Sequence, residues 1–127
     1  MARHKTPGPT DRELAILRVL WERGPSTVRQ VNEAISTDRS TGYTTTLKLM
    51  QIMTEKGLVV RDESDRTHVY KANAAEEQTQ RQLVGDLMDR AFGGSARKLV
   101  MQALAAKKVS AEELAKIRQL LDAIRED

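Results

Sequence analysis

The chain of 127 residues contains no cysteine, two histidines, three prolines and four aromatic residues, Trp21, Tyr43, Tyr70 and Phe92. Without cysteine there is no disulfide, thiolate metal site or cysteine nucleophile, and His4 and His68 lie far apart in sequence, so metal chemistry is poorly supplied. Neither GPST (24–27) nor GGSA (93–96) has the spacing and lysine of a phosphate-binding loop, and no histidine is paired with a nucleophile in a recognisable pattern. No apolar run approaches the roughly 20 residues of a membrane span. The start, MARHKTPGPT, lacks the apolar segment of a secretory signal. These absences point away from an enzyme and a membrane protein, and predict a cytoplasmic chain with no metal and no cofactor.

What remains is rich in aliphatic and charged residues, 39% hydrophobic and 31% charged, a composition of small helical domains. The net charge of +3 is uneven. Residues 1–74 hold 12 Lys/Arg against 9 Asp/Glu, whereas residues 75–127 hold 9 of each. A modest basic excess suits a polyanionic partner and equally suits a solvated surface.

Residues 1–9, with two prolines, a glycine and three basic groups, read as a flexible basic arm. Thr10 with Glu13 forms the sequence of a capping box, in which each side chain satisfies the other's backbone N–H; Leu14, Leu17 and Trp21 follow as a helical stripe, stopped by Gly24-Pro25. A second box, Thr27 with Gln30, opens a short helix with Val28, Val31 and Ile35 inward, ending in the polar stretch STDRSTG. A third helix is predicted from about Tyr43 to Lys56, with Gly57 closing it in a left-handed conformation. Its inward stripe reads Thr46, Leu49, Met50 and Met53.

That register leaves Thr44, Thr45, Lys48 and Gln51 on the opposite face, together with Leu47 and Ile52. Threonine is a mediocre helix former, so three in succession at Thr44–Thr46 need a reason beyond propensity. Two reasons stand: capping of the helix start, or contact with phosphates, base edges and thymine methyls in a DNA major groove. After Gly57, residues 58–62 and 67–72 are predicted as two strands joined by a polar turn, Glu63 to Arg66. Three helices followed by a hairpin is the order of a winged helix-turn-helix. Arg61, Arg66, His68 and Lys71 decorate the hairpin, as a soluble hairpin or a phosphate-touching wing would be decorated.

From residue 75 the pattern is helical. Leu83, Val84, Leu87, Met88 and Ala91 share one side of a helix that stops at Gly93-Gly94; Leu99, Val100, Ala103 and Leu104 mark a second helix. A third opens at Ser110 with Glu113 and presents Leu114, Ile117, Leu121 and Ile124 in heptad-like alternation. Short helices of this kind cannot bury their stripes alone. Leu83, Leu87, Leu99, Val100, Leu114, Ile117, Leu121 and Ile124 are candidates for a homodimer interface, with packing inside one chain as the alternative. The predicted fold is thus mainly α with a small β-hairpin wing: a winged helix-turn-helix at 10–74 and a three-helix dimerisation region at 75–127.

The segments LRVLWERGPSTVRQVNEAI, YTTTLKLMQIMTEKGLV, HVYKA, the F-G-G followed by L-V, and SAEELAKIRQLL resemble the penicillinase-repressor (BlaI/MecI/CopY) family of winged-helix transcriptional regulators, from Thr10 to the C-terminus. The resemblance implies a homodimeric repressor on a pseudo-palindromic double-stranded operator with TACA/TGTA-type half-sites, and, in antibiotic-responsive members, a sensor-linked protease as a further partner. It places Tyr43, Thr44, Thr45 and Lys48 on the DNA-contacting surface, and Arg61 and Arg66 on the wing. It also exposes two departures. The Asn-Phe bond cut in antibiotic-responsive members aligns with Gln102-Ala103, which argues against release by cleavage there. The C-terminal cysteines of copper-responsive members are missing, which excludes copper sensing of that type. A protein-interaction module built on the same fold is the rival reading, and its mark would be an exposed apolar face around Leu47 and Ile52.

Overall fold

A computed structural model describes residues 8–36 and 42–125. Most of the expected basic arm and of the polar stretch after the second helix lies outside the described residues. The elements run α1 (Asp11–Arg23), α2 (Val28–Ile35), α3 (Tyr43–Lys56), β1 (Val59–Asp62), β2 (Val69–Ala72), α4 (Glu76–Ala91), α5 (Ala96–Ala106) and α6 (Ala111–Arg125). This is the mainly helical fold with a two-stranded hairpin that the sequence predicts. The chain divides into two compact units within α4, between Leu83 and Val84.

In the first unit both capping boxes form. Thr10 Oγ1 accepts from Glu13 N–H while Glu13 Oε1 accepts from Thr10 N–H; Thr27 and Gln30 reciprocate in the same way. Gly57 closes α3 at φ +82°, a left-handed conformation that costs glycine little, and its N–H satisfies the last carbonyls of the helix. The core consists of Ile16, Leu17 and Leu20 of α1, Val28 and Val31 of α2, Met50 and Met53 of α3, Val59 and Tyr70.

The inward face of α1 differs from the predicted stripe. It is Glu13, Ile16, Leu17 and Leu20, with Leu14 and Trp21 only half-buried. The face rotates because Glu13, expected from the sequence only as the capping partner of Thr10, is 2% exposed and fully partnered. Its Oε2 accepts from Lys56 Nζ at 2.9 Å while Oε1 serves the cap. Trp21 sits at the rim, its indole N–H donating to the Ala74 carbonyl at 2.9 Å. Burial alone would raise the Glu13 pKa, but the bonds from Lys56 and Thr10 outweigh it and hold the carboxyl below its ordinary value of 4.5.

A carboxyl depressed in the folded state stabilises fully above its unfolded pKa and ceases to do so as pH falls through its folded value. Glu13→Gln is therefore expected to melt below the parent at neutral pH, with the gap closing as pH falls below the ordinary value of 4.5. A gap that stays constant in melting curves over that range would assign the loss to something other than the ionised carboxylate.

The hairpin is antiparallel, pairing Val59 with Ala72 and Asp62 with Val69. Its strands are shorter than predicted because residues 63–68 form the connecting loop. Asp62 Oδ1 accepts from both the N–H and the hydroxyl of Ser64, at 2.9 and 2.7 Å, which starts the turn and lowers the Asp62 pKa. Ser26, between α1 and α2, extends this sheet: its N–H donates to Tyr70 O at 2.9 Å and Tyr70 N–H donates back to Ser26 O at 2.8 Å. This bridge joins residues 44 apart in sequence and seats the hairpin against the helices.

In the second unit, Ser95 caps α5 by accepting from Lys98 N–H, and Ser110 accepts from Glu113 N–H at 3.0 Å at the start of α6. Val84, Leu87, Val100, Met101, Leu104, Leu120, Leu121 and Ile124 are exposed, and Leu99, Leu114 and Ile117 are half-buried. Among the described residues no helix is long and apolar enough to cross a membrane, and no cluster of His, Asp or Glu could hold a metal ion.

Candidate nucleic-acid interface

The outer face of α3 carries Tyr43, Thr44, Thr45 and Lys48, all exposed, over the first two turns of the helix. Thr46 points the other way and is completely buried. The N-cap is Gly42, with no side-chain hydrogen bond to the first turn. None of the three threonines is therefore the N-cap, which weakens the capping explanation for the run and leaves two hydroxyls and two methyl groups facing outward. Short side chains of this kind contact phosphate oxygens and base edges where a helix enters a major groove.

Beside this face runs a groove of about 430 Å³ lined by Thr27, Val28, Arg29, Tyr43, Leu47, Arg66, Thr67, His68 and Tyr70. Three elements meet there: the first turn of α2, the first turns of α3 and the loop of the hairpin. Arg29, Arg66 and His68 all line it, and among the described residues no carboxylate does. The N-terminal turn of α2 adds the partial positive charge of its backbone N–H groups. The groove thus offers a cationic, hydrogen-bond-donating wall next to a hydroxyl-bearing helix face, an arrangement suited to a phosphate backbone tracking past an inserted helix.

Of the residues singled out from the sequence, the structure gathers Tyr43 and Arg66 at the groove, with Thr44, Thr45 and Lys48 on the adjoining helix face. Arg61 is placed elsewhere. It lies cross-strand from Tyr70, its Nε donates to Glu63 Oε2 at 2.6 Å, and it lines a different hollow with Pro25, Val60 and Val69. The Tyr70 hydroxyl and then the Glu63 carboxylate raise its pKa, so its charge is permanent but already engaged. Arg29 was not singled out, although the capping box at Thr27 located the helix start that carries it. His68 is one of the four hairpin residues that the sequence offers either to a phosphate-touching wing or to a soluble hairpin. Leu47 and Ile52 are both half-buried, Leu47 against the core, so α3 does not present the apolar face of an interaction module.

Comparison with known proteins agrees with this geometry. Residues 9–123 match the family described as Penicillinase repressor. The chain is 32% identical over 112 residues to the transcriptional regulator BlaI of Mycobacterium tuberculosis, covering 87% of this chain and 80% of that protein. It is 22% identical over 118 residues to the penicillinase repressor of Bacillus licheniformis, covering 93% and 92% respectively. With a winged-helix arrangement in its first unit and a family match spanning nearly its whole length, the chain belongs to the penicillinase repressor family.

Proposed function

We propose that the chain is a DNA-binding transcriptional repressor and not an enzyme, acting in the cytoplasm as a homodimer on a pseudo-palindromic operator from which an inducing signal releases it. The observation that carries this reading is the junction of the Thr44/Thr45/Lys48 face of α3 with the Arg29, Arg66 and His68 groove. In the proposed mechanism α3 enters the major groove, the first turn of α2 and the hairpin loop grip the backbone on either side, and repression follows from occlusion of the promoter. Displaced counterions make the affinity fall as salt rises.

The apolar faces of α4, α5 and α6 support a second copy as the partner of the second unit. Two copies related by a two-fold axis would present two copies of α3 to successive half-sites. The names of the relatives, a transcriptional regulator and a penicillinase repressor, are consistent with this role.

Immunoprecipitation of the tagged chain across its genome, followed by gel shift of the most enriched fragment at two salt concentrations, tests the reading. A few sharp peaks over a shared palindrome, bound more weakly in high salt, are expected. Thr45→Ala is expected to weaken operator binding by about 1 to 3 kcal/mol while leaving scrambled DNA unaffected. Equal losses on both DNAs would remove Thr45 from the base-reading set, and absence of any enriched fragment would remove the repressor reading itself.

A further inference from the structure

The buried face of α3 is unusually soft for a helix whose orientation decides what is read. Its fully buried side chains are Thr46, Met50 and Met53, with Leu47 and Leu49 partly buried and packed on the same core. Methionine is unbranched and has three rotatable bonds, so it fills space without dictating geometry. No β-branched aliphatic or aromatic side chain of α3 reaches the core. The helix packs chiefly on α2 and β1 and only lightly on α1. Apolar contact holds α3 in place but constrains its rotation and slide weakly.

Directional bonds sit near both ends of the helix. Close to its start, Thr46 Oγ1, fully buried, donates to Asn32 Oδ1 of α2 at 2.7 Å, and the same oxygen accepts from Ser36 Oγ at 3.2 Å. At its last residue, Lys56 Nζ donates to Glu13 Oε2 of α1 at 2.9 Å, a carboxylate already held by the cap at Thr10. Thr46 and Lys56 lie about 15 Å apart along the helix axis, at a rise of about 1.5 Å per residue. Hydrogen bonds weaken steeply with misalignment, so one at each end resists rotation about the axis and sliding along it, which methionine packing does not.

We infer that the Asn32–Thr46 and Glu13–Lys56 pairs are positioning pairs that aim α3, and that discrimination between DNA sequences depends on them more than folding does. The inference rests on the reading of α3 as the DNA-reading helix. Thr46 occupies the position directly after Thr45, so the buried hydroxyl sets the placement of the exposed ones. This gives the third threonine of the run a function of its own: a valine there would pack as well but could not be aimed by Asn32.

The test uses the full chain, the most enriched genomic fragment, a scrambled duplex of the same length, and thermal unfolding. Thr46→Val keeps the shape and removes the hydroxyl, Thr46→Ser keeps the hydroxyl and removes a methyl, and Lys56→Met breaks the second bond from a half-exposed position, with thermal unfolding reporting the stability lost when the buried Glu13 carboxylate keeps only its bond to the cap. Thr46→Val and Lys56→Met are each expected to lower the ratio of fragment to scrambled affinity by about tenfold, with scrambled binding unchanged within about twofold, and Thr46→Ser to retain the parent ratio. An unchanged ratio in folded Thr46→Val or Lys56→Met, or a loss in Thr46→Ser equal to that in Thr46→Val, would overturn the inference. Should Thr46→Val fail to fold, the ratio in Lys56→Met decides. A parent chain that does not discriminate between the two DNAs overturns the DNA reading and the inference together, whereas a discriminating parent with equally discriminating variants overturns the inference alone.

Discussion

Replacing Leu121 and Ile124 by glutamate is expected to leave the chain monomeric and to cut its operator affinity by about 10²- to 10⁴-fold, the gain ordinarily supplied by binding two linked half-sites at once. The two side chains are 56% and 60% exposed on α6, one turn apart on the same face. Large apolar residues left in water along one stripe are not what an unpartnered helix retains, and a second copy laid against that stripe would remove them from solvent. Two carboxylates from each copy would put four negative charges into such an interface, so burial and like-charge repulsion act together. Sedimentation and gel shift check both halves of the expectation. A double variant that still sediments as a dimer would move the interface elsewhere, and a monomer that still binds the operator at parental affinity would separate dimerisation from DNA binding.

Ile16→Ala is expected to lower the unfolding free energy by about 2 to 5 kcal/mol, a large share of the roughly 5 to 15 kcal/mol available to a small domain. Ile16 is completely buried and touches a core drawn from α1, α2, α3 and the hairpin, so truncation leaves a cavity that several elements would have to close. Leu14→Ala, at a half-buried site on the same helix, is expected to cost distinctly less. The comparison decides between two registers of α1, because the plain apolar pattern puts Leu14, Leu17 and Trp21 inward whereas the fold puts Glu13, Ile16, Leu17 and Leu20 there. Urea unfolding of both variants provides the measurement. A larger loss for Leu14→Ala than for Ile16→Ala would restore the simple pattern.

The error in that register is instructive. Hydrophobic periodicity assigns a glutamate to water, yet Glu13 is buried because its two oxygens find Thr10 within the same turn and Lys56 forty-three residues away. The first partner was legible, as a capping box, and the second was not. The groove shows the same division. The threonine face of α3 could be read from spacing, and Arg66 could be placed on the hairpin. That Arg29 and His68 converge on it, and that Arg61 turns instead toward Glu63 and Tyr70, depends on how α2 and the hairpin are set against each other. The Ser26–Tyr70 bridge, which helps set that relation, was hidden inside a stretch legible only as a helix stop.

By itself the sequence determined the order of the elements, the ends of the helices at Thr10, Thr27 and Gly57, and the outward exposure of Thr44, Thr45 and Lys48. Each of these depends on bonds or periodicities that close within about one or two helical turns, so the local residues carry the whole cause. The tertiary structure alone decided that Glu13 is inside, that Thr46 is bonded to Asn32, and that Arg29, Arg66 and His68 share one groove. Those outcomes depend on which distant groups arrive to satisfy a buried charge or hydroxyl, and a polar side chain carries no mark of its partner until the chain has folded around it.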